Sequence, residues 1–347
     1  MMRKDLSKMQ MITAHNNKYR FLYNIFFLLV FVLLFSIAGF RPVGIDRDSG
    51  TYAVAIQSFI ITHNYDYIRI EPSFYLIVNV SKFLFNDAVR GVFILYALLG
   101  VSLTLYAIKK NSSFPLLSLI VYFCFFFVLH EMTQIRAGVA AAIFLLAIPD
   151  IVNRNWKSYL IKTALATLFH YTAIIMLFIY LINSKNNKQL FYLFLPLIGI
   201  LLAITNFGKY FLMSMISFLP EFLSYKINLY LTMHEAGMYT EINVFNLYYS
   251  SLLIIYYFAI ININKFKKEI NVLQIKILGW MLFAFYFFYF LPVFAFRISE
   301  FLGLVLIFIL PDLISIVREK VFTSFIVFLY SITMLFNYVF IQKMLYF

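Results

Sequence analysis

Long apolar runs separated by short polar intervals make up most of the chain. A helix that crosses the hydrocarbon core of a bilayer needs about 20 mostly apolar residues. About nine runs approach or reach that length and predict spanning helices: residues 21–40, 92–108, 116–129, 138–152, 190–207, 244–263, 272–291, 298–316 and 321–345. The first run is too long for a cleaved signal peptide and is followed by Arg41-Pro42 instead of a small-residue cleavage site. We therefore expect it to be retained.

Three further apolar stretches have the wrong length for one span each. Residues 52–62 and 74–85 fall short of the roughly 17 residues that a spanning helix needs, so they predict a re-entrant pair or helices lying at the interface. Residues 159–182 have room for one long span, or for two half-spans that meet at His170. The predicted fold is therefore an all-α polytopic integral membrane protein with about nine full spans, two short helical pairs and up to about 13 membrane segments.

The composition agrees with this class. Hydrophobic residues make up 63% of the chain and charged residues only 12%, against about 25% charged residues in soluble domains. No polar stretch is long enough for a separate soluble domain, so residues 1–347 are predicted to form a single membrane domain with one larger loop at 208–243. Cys124 is the only cysteine, which excludes disulfides within the chain and cysteine-based metal sites.

The charge distribution predicts an orientation. Basic clusters lie in residues 1–20, 109–110, 154–162, 185–188, 265–276 and 318–320. The positive-inside rule places them in the cytoplasm, and that side then carries all of the net charge of +13. Residues 1–20 become a cytoplasmic N-terminal tail, residues 208–243 a periplasmic loop, and 159–182 must go out and return. The orientation explains the excess positive charge, so nucleic-acid binding is not required to account for it. No basic patch with a nucleic-acid-recognition motif occurs in the sequence.

A few polar residues interrupt the apolar sequence, and the function is sought among them. An ionisable side chain at membrane depth is costly and is by default a functional-site hypothesis. The predicted topology brings these residues to the outer half of the membrane, although the side of Glu71 depends on whether 52–62 and 74–85 cross. They are Arg41, Asp46, Arg47, Asp48, Glu71, Gln134, Arg136, His170 and Arg297.

The arginines have simpler structural interpretations that remain open. Arg41 and Arg47 flank the end of a helix, where snorkelling arginines are common. Arg136 lies on a helix whose other face is rich in Gly and Ala, which allows close helix packing. It suits an anionic ligand, or it forms a buried pair with Glu131.

Two interpretations also stay open for His170 and Arg297. His170 is either a satisfied core histidine or a functional group at the turn between half-spans. Arg297 can pair locally with Glu300, three residues further on. The other histidines show no metal-ligand spacing, so no metal site is expected, and no nucleotide-binding or hydrolase motif occurs.

The residue types nevertheless indicate a chemistry. Arginine binds phosphate through two parallel hydrogen bonds and stays charged in apolar surroundings. A carboxylate or an imidazole can take a proton from a hydroxyl group. Together they fit a membrane enzyme that handles a lipid-linked phosphate or pyrophosphate with a hydroxyl nucleophile at the outer face.

At these residues the chain resembles a known family. The motifs are Arg41-Pro-x-Gly-x-Asp46 with Tyr52, Glu71-Pro72, Ile135-Arg136-Ala-Gly138-Val-Ala140 and Phe169-His170-Tyr171. Their order resembles the EpsG-like family, which includes Wzy-type O-antigen and capsular polysaccharide polymerases. The resemblance covers residues 20–185, and the second half is similar in hydropathy, in its large loop and in Arg297. Family members often carry Gln after the arginine, where this chain has Ala137.

The resemblance implies a reaction at the periplasmic face of the bacterial inner membrane. An undecaprenyl-pyrophosphate-linked glycan would be transferred to the hydroxyl of an undecaprenyl-pyrophosphate-linked repeat. No metal or cofactor is implied. The expected partners are membrane lipids and, as a candidate, a chain-length regulator. Arg136 and Arg297, with Arg41 or Arg47, would hold pyrophosphate. His170 or Asp46 would be the base, with Glu71 as a second candidate. The aromatic residues of 208–243 would shape the sugar cavity.

Three rival functions remain. A flippase or transporter for the same lipid-linked glycan would need two repeated halves with broken helices at matching positions, and no internal repeat occurs. An O-antigen ligase would use the same donor and is not separated by the sequence. A structural membrane subunit would not explain why ionisable residues sort to one leaflet.

Overall fold

The computed structural model describes residues 2–67, 70–185, 188–237 and 242–346, and these residues are helical with short connections and no strands. The first half contains α1 (Met2–Gly39), α2 (Ser49–Thr62), α3 (Pro72–Leu84), α4 (Ala88–Asn111), α5 (Pro115–Val121), α6 (Ile135–Val152), α7 (Trp156–Phe169) and α8 (Met176–Ile179). The second half contains α9 (Gln189–Ile204), α10 (Phe207–Met215), α11 (Glu221–Glu235), α12 (Leu247–Ile261), α13 (Glu269–Phe287), α14 (Pro292–Gly303), α15 (Leu306–Asp312) and α16 (Lys320–Phe336).

The all-α membrane class is confirmed, but the described residues contain fewer candidate spans than predicted. Six helices are long and apolar enough, and two bent pairs would raise the number to eight. The predicted run 190–207 ends in a bend of 82° between α9 and the helix that follows it, and the run 298–316 bends by 52° between α14 and α15. The predicted run 244–263 forms α12, which has only 15 residues. Asn206 adopts a left-handed conformation (φ 57°), which ends α9.

The two short helices predicted for the first half are present. Helices α2 and α3 have 14 and 13 residues, so each is a short helix as expected. Pro72 begins α3 directly after Glu71, where its missing N–H costs no hydrogen bond.

The stretch 159–182 breaks at His170. Helix α7 ends at Phe169, His170 is extended (φ −154°, ψ 124°), and a 3₁₀ helix, Tyr171–Ile175, leads into α8. Of the two sequence-based alternatives, the structure therefore has two half-helices and not one long helix. The break turns the His170 side chain away from the helix surface and towards residues of other segments.

The segment before α6 is a π-helix, Tyr122–Thr133, followed by a break at Gln134. Helix α6 approaches this segment very closely. A Cβ at Gly138 would lie 2.4 Å from the His130 carbonyl oxygen, so only glycine fits there. The close approach holds Gln134 and Arg136 at the start of α6.

Helix packing explains how the polar residues meet. Helix α4 packs against α1, α3 and α6, α7 packs against α6, and α13 packs against α9 and α14. The predicted loop 208–243 contains α10 and α11, and its residues 238–241 lie outside the described residues. Residues 2–20 of the predicted N-terminal tail belong to α1. The predicted orientation stays a prediction, because the side of the membrane is not defined by the fold.

The C-terminal segment returns to the loop between α1 and α2. The Tyr346 amide donates to the Ile45 carbonyl (2.8 Å), and Asp46 and Leu345 form an isolated antiparallel bridge. The guanidinium of Arg47 donates to the Gln342 carbonyl. These contacts join the C-terminal segment to the loop between α1 and α2, beside the polar residues.

Candidate active site

Four separate segments of the chain enclose one polar cavity of about 180 Å³. We call it the arginine cavity. It is lined by Asp48, Thr51, Tyr52, Gln134, Arg136, Ala137, His170 and Arg297. Of the site residues predicted from sequence, Arg136, His170 and Arg297 line it. Arg41, Asp46, Arg47 and Glu71 lie outside its lining.

Arg136 is held by Glu71. Its guanidinium donates to Glu71 Oε2 and lies over the rings of Tyr52 and Phe74, 5.6 and 5.8 Å from their centres. The Arg136 side chain is 19% exposed and that of Glu71 only 2%. An arginine has five N–H donors, and the Arg136 side chain is part of the cavity lining. Its exposed part can therefore take an anionic ligand.

The predicted alternative pairing of Arg136 with Glu131 is wrong. The buried Glu131 carboxylate accepts a hydrogen bond from the Tyr122 hydroxyl (2.9 Å). Glu131 also lies against Gly100, where a Cβ would come within 2.0 Å of Glu131 Oε2. Glu131 of the π-helix thus contacts Tyr122 and α4, while Arg136 pairs with Glu71.

His170 links Glu71 to Arg297. Its Nε2 lies 3.0 Å from an Arg297 guanidinium nitrogen. The Thr172 amide donates to Nδ1 (3.2 Å), and Glu71 Oε1 lies 3.5 Å from the same nitrogen. Glu71 thus orients both His170 and Arg136.

The local pair predicted between Arg297 and Glu300 does not form. Arg297 contacts His170, and the Glu300 carboxylate accepts from the Gln134 side-chain amide (2.9 Å). The Gln134 contact joins α14 to the start of α6, and it leaves the Arg297 guanidinium facing the cavity.

Arg41 and Asp46 form a sealed pair behind the cavity. Arg41 Nε donates to Asp46 Oδ2 (2.9 Å), and both residues are 3% exposed or less. The other guanidinium nitrogens of Arg41 donate to the carbonyls of Ala38 and Met132. Asp46 Oδ1 accepts from two backbone amides of the following residues, at 3.1 and 2.9 Å. The donors and acceptors of this pair are thus occupied within the protein, and the pair fixes the loop between α1 and α2.

Asp48 is on the polar list, but the sequence analysis did not include it among the candidate catalytic or phosphate-binding residues. It lies two residues after Asp46 and lines the arginine cavity. Burial raises the pKa of the Asp48 carboxyl, while the nearby charge of Arg297 lowers it. In the described part of the chain, its carboxylate has no hydrogen-bond partner. In the sequence, Asp46 and Asp48 are two carboxylates separated by one residue. This spacing does not indicate which of them lines the cavity.

A second polar cavity of about 370 Å³ shares a wall with the first. Asp48, Gln134 and Arg297 line both cavities. Its other polar lining residues come from distant parts of the chain, namely Arg47, Thr133, Glu300 and Gln342. The predicted phosphate ligand Arg47 thus lies here, with its guanidinium bound to the C-terminal segment.

An apolar groove of about 290 Å³ opens from the other side of the arginine cavity. His170 and Arg297 line both, and the rest of the groove is mainly aliphatic and aromatic. Residues Leu212, Leu219, Ile227 and Tyr230 contribute to its wall. In the described residues the segment 208–243, expected to shape a sugar cavity, therefore lines the apolar groove and neither polar cavity.

The arrangement has a defined chemical capacity. Two guanidinium groups and one imidazole face a small cavity, with a carboxylate on its wall and an apolar groove at one end. Such a site can bind an anionic head group and stabilise negative charge that develops on a leaving group. In the described residues, no three His, Cys, Asp or Glu side chains cluster to form a metal site.

Comparison with known proteins extends the resemblance seen in the motifs. No curated protein matches the chain, and no solved structure matches it. The model of the EpsG family, however, matches residues 24–347. This range includes the second half, where the motifs alone were weak, and it covers all the segments that enclose the arginine cavity. The chain belongs to the EpsG family.

Proposed function

We propose that this protein is a Wzy-type polysaccharide polymerase. It transfers an undecaprenyl-pyrophosphate-linked glycan to the hydroxyl of an undecaprenyl-pyrophosphate-linked repeat unit, as in O-antigen assembly, at the periplasmic face of the inner membrane. Membership of the EpsG family indicates a glycosyltransferase-type polymerase of polysaccharide biosynthesis. The donor, the acceptor and the membrane face are the part that we add.

One observation carries the proposal. Arg297 and His170 belong to the wall of the arginine cavity and to the wall of the apolar groove. A ligand that fills both spaces must have an anionic head and an apolar tail. Arginine forms paired hydrogen bonds with phosphate oxygens, and Arg136 and Arg297 approach the cavity from different helices. A lipid diphosphate has this combination of groups.

The reaction then uses the two arginines directly. The acceptor oxygen forms a bond with the anomeric carbon of the donor sugar, and the bond between that carbon and the phosphate oxygen breaks. The lipid diphosphate leaves with the electron pair. Arg136 and Arg297 stabilise the charge that accumulates on it, as preorganised donors do in other active sites.

The acceptor hydroxyl must also lose its proton. Asp46 is engaged with Arg41, and Glu71 is engaged with Arg136. The groups that face the cavity and can accept a proton are therefore His170 Nε2 and the Asp48 carboxylate. Binding of the diphosphate by Arg297 would release the Nε2 atom of His170, and Glu71 would support a charge on that ring.

The test replaces Arg136 with lysine in the producing cell. Lysine keeps the charge, so Glu71 stays compensated, but it loses the planar pair of donors. We expect polymer to fall at least about 100-fold, the cost of removing one donor from a preorganised anion site. Gel electrophoresis of the surface polysaccharide should show the single repeat and no ladder. The matched control is Arg318→Lys, at an exposed position, with protein amounts checked by immunoblot.

Filling the groove gives the second arm of this test. Ile175→Trp places a large ring in the apolar groove, and Ile254→Trp does so at a position that is 72% exposed and lines none of the three spaces. The first variant should shorten the ladder and the second should not. A normal ladder in Arg136→Lys would contradict the proposal. Loss of all glycan, including the single repeat, would favour a transporter or a ligase.

A further inference from the structure

We infer that the second polar cavity binds the acceptor sugar and that Asp48 takes the proton from its hydroxyl group. The inference rests on the proposed function, since it assigns the acceptor for the same transfer. We call this space the acceptor cavity. It is defined by Arg47, Asp48, Gln134, Phe296, Glu300 and Gln342 among its lining residues.

The side chains of the acceptor cavity differ in chemistry from those of the arginine cavity. Sugar hydroxyls both donate and accept hydrogen bonds, so a sugar site needs acceptors as well as donors. Asp48 and Glu300 accept, Arg47 donates, and the amides of Gln134 and Gln342 do both. Phe296 adds an aromatic surface for the apolar face of a pyranose ring. The cavity volume is about 370 Å³, against about 180 Å³ for the arginine cavity.

The shared wall places the two substrates side by side. Asp48, Gln134 and Arg297 line both cavities. A hydroxyl group in the acceptor cavity therefore lies next to the anomeric carbon of a donor whose diphosphate is in the arginine cavity. Transfer between two lipid-linked substrates requires this proximity, because each reacting group must come within bonding distance of the other.

Asp48 has a position that Asp46 lacks. The Asp46 carboxylate accepts hydrogen bonds from Arg41 and from the backbone amides of Asp48 and Ser49. Those contacts hold the loop so that the next carboxylate, on Asp48, lies on the wall between the cavities. In the described part of the chain this carboxylate has no hydrogen-bond partner, so its oxygens can accept from a bound hydroxyl.

The C-terminal segment completes the acceptor cavity. Gln342 and Met344 are part of its lining. The Gln342 carbonyl accepts from Arg47, and the Tyr346 amide donates to Ile45 (2.8 Å). Residues of the C-terminal segment thus form one wall of the site, although Gln342 is 295 residues away in sequence from Arg47.

The transfer exchanges one bond of the anomeric carbon for another. The oxygen of the acceptor hydroxyl bonds to the anomeric carbon of the donor, and its proton goes to a carboxylate oxygen of Asp48. The bond from that carbon to the phosphate oxygen breaks, and the lipid diphosphate takes the electron pair. Asp48 then passes the proton to water or to the departing diphosphate.

The experiment separates donor from acceptor. The full chain is purified in nanodiscs. The donor is the lipid-linked repeat, extracted from cells that lack this protein, and the acceptor is the free repeat oligosaccharide in solution. We expect Phe296→Ala and Glu300→Gln to raise the acceptor KM roughly tenfold, the loss of about one good hydrogen bond or contact, and to leave the donor KM unchanged. Asp48→Asn should lower kcat at least about 100-fold with both KM values kept. Asp48→Glu should restore part of kcat.

Matched controls test for general damage. Phe325→Ala removes an exposed ring from α16, and Glu319→Gln changes an exposed carboxylate. Both should behave as the wild type. The inference is overturned if Phe296→Ala and Glu300→Gln change only the donor KM, or if Asp48→Asn keeps the wild-type kcat. It is overturned too if Asp48→Asn fails to fold while Asp48→Glu folds but has no activity. A wild-type chain that makes no polymer in this assay refutes the proposed function instead.

Discussion

Among the described residues, two arginine–carboxylate pairs look alike in sequence and differ in their surroundings. Arg41 and Asp46 have side chains that are 1% and 0% exposed, and Arg41 also bonds two carbonyls and lies over the Phe93 ring. The Arg136 side chain is 19% exposed at a cavity and keeps an N–H without a partner in the described residues. The first pair is closed to any ligand, whereas the second can exchange part of its contacts for one. The difference shows that these two arginines can be told apart only by their exposure to a cavity.

The largest expected effect is on the sealed pair. Asp46→Ala leaves the Arg41 charge buried without compensation, which costs about 3–5 kcal/mol of stability. We expect most of the protein to be lost from the membrane, or a clearly lower melting temperature of the purified full chain. The double substitution Arg41→Met with Asp46→Leu removes both charges and should recover much of that stability. A single variant as stable as the wild type would contradict the structural role of this pair.

A smaller effect on stability, with a larger one on activity, is expected for the open pair. Glu71→Gln keeps an oxygen that can accept from Arg136 and from the Tyr171 amide. It removes the charge that orients Arg136 and His170, and a hydrogen bond to a charged group is worth about 1.5–3 kcal/mol. Polymer formation should fall at least about tenfold while the melting temperature changes little. A variant that melts as early as Asp46→Ala would remove the distinction between the two pairs.

Asp48 can be distinguished by pH from His170, the other candidate base. Burial raises the pKa of Asp48 above the ordinary value, which is about 3.9 for aspartate. A base must be ionised, so activity should fall as the pH decreases through that raised pKa, by about tenfold per pH unit. The charged groups around Asp48 that affect this titration are Asp46, Arg47, Arg136 and Arg297, while His170 and Glu300 line the same cavities.

Initial rates across pH, normalised for each variant, check this prediction. The acid limb should persist in Asp48→Glu and disappear in Asp48→Asn, whose residual activity no longer depends on that carboxyl. His170→Gln is the control for the other candidate base and should keep the limb. A limb that survives in Asp48→Asn but is lost in His170→Gln would assign the proton to the histidine.

Part of the site could be found from sequence because ionisable residues are so rare in this chain. Arg136, His170 and Arg297 stood out against their apolar neighbours, and all three line the arginine cavity. Their partners could not be found in the same way. Arg136 pairs with Glu71, 65 residues away, and not with the nearby Glu131. Which carboxylate an arginine reaches depends on how α3, α6 and the π-helix pack, and that information is spread over many contacts.

The number of spans shows the same limit. A hydropathy run of 18 residues does not reveal a bend, and the runs at 190–207 and 298–316 are bent or shortened in the fold. The segment 208–243 was expected to shape a sugar cavity, and its described residues Leu212, Leu219, Ile227 and Tyr230 line the apolar groove. The wall that Gln342 and Met344 add to the acceptor cavity had no signal in sequence at all.

By itself, the sequence determined the membrane class, the two short helices before α4 and the motifs of the EpsG family, and it gave a break at His170 as one of two alternatives. These depend on composition and on interactions within a few residues, such as the length of an apolar run or the position of Pro72. Only the tertiary structure decided which charges are sealed and which face a cavity, and that Asp48 lies between two cavities. Those features depend on contacts between segments distant in sequence, where burial, and not residue type, determines whether a charged group can meet a ligand.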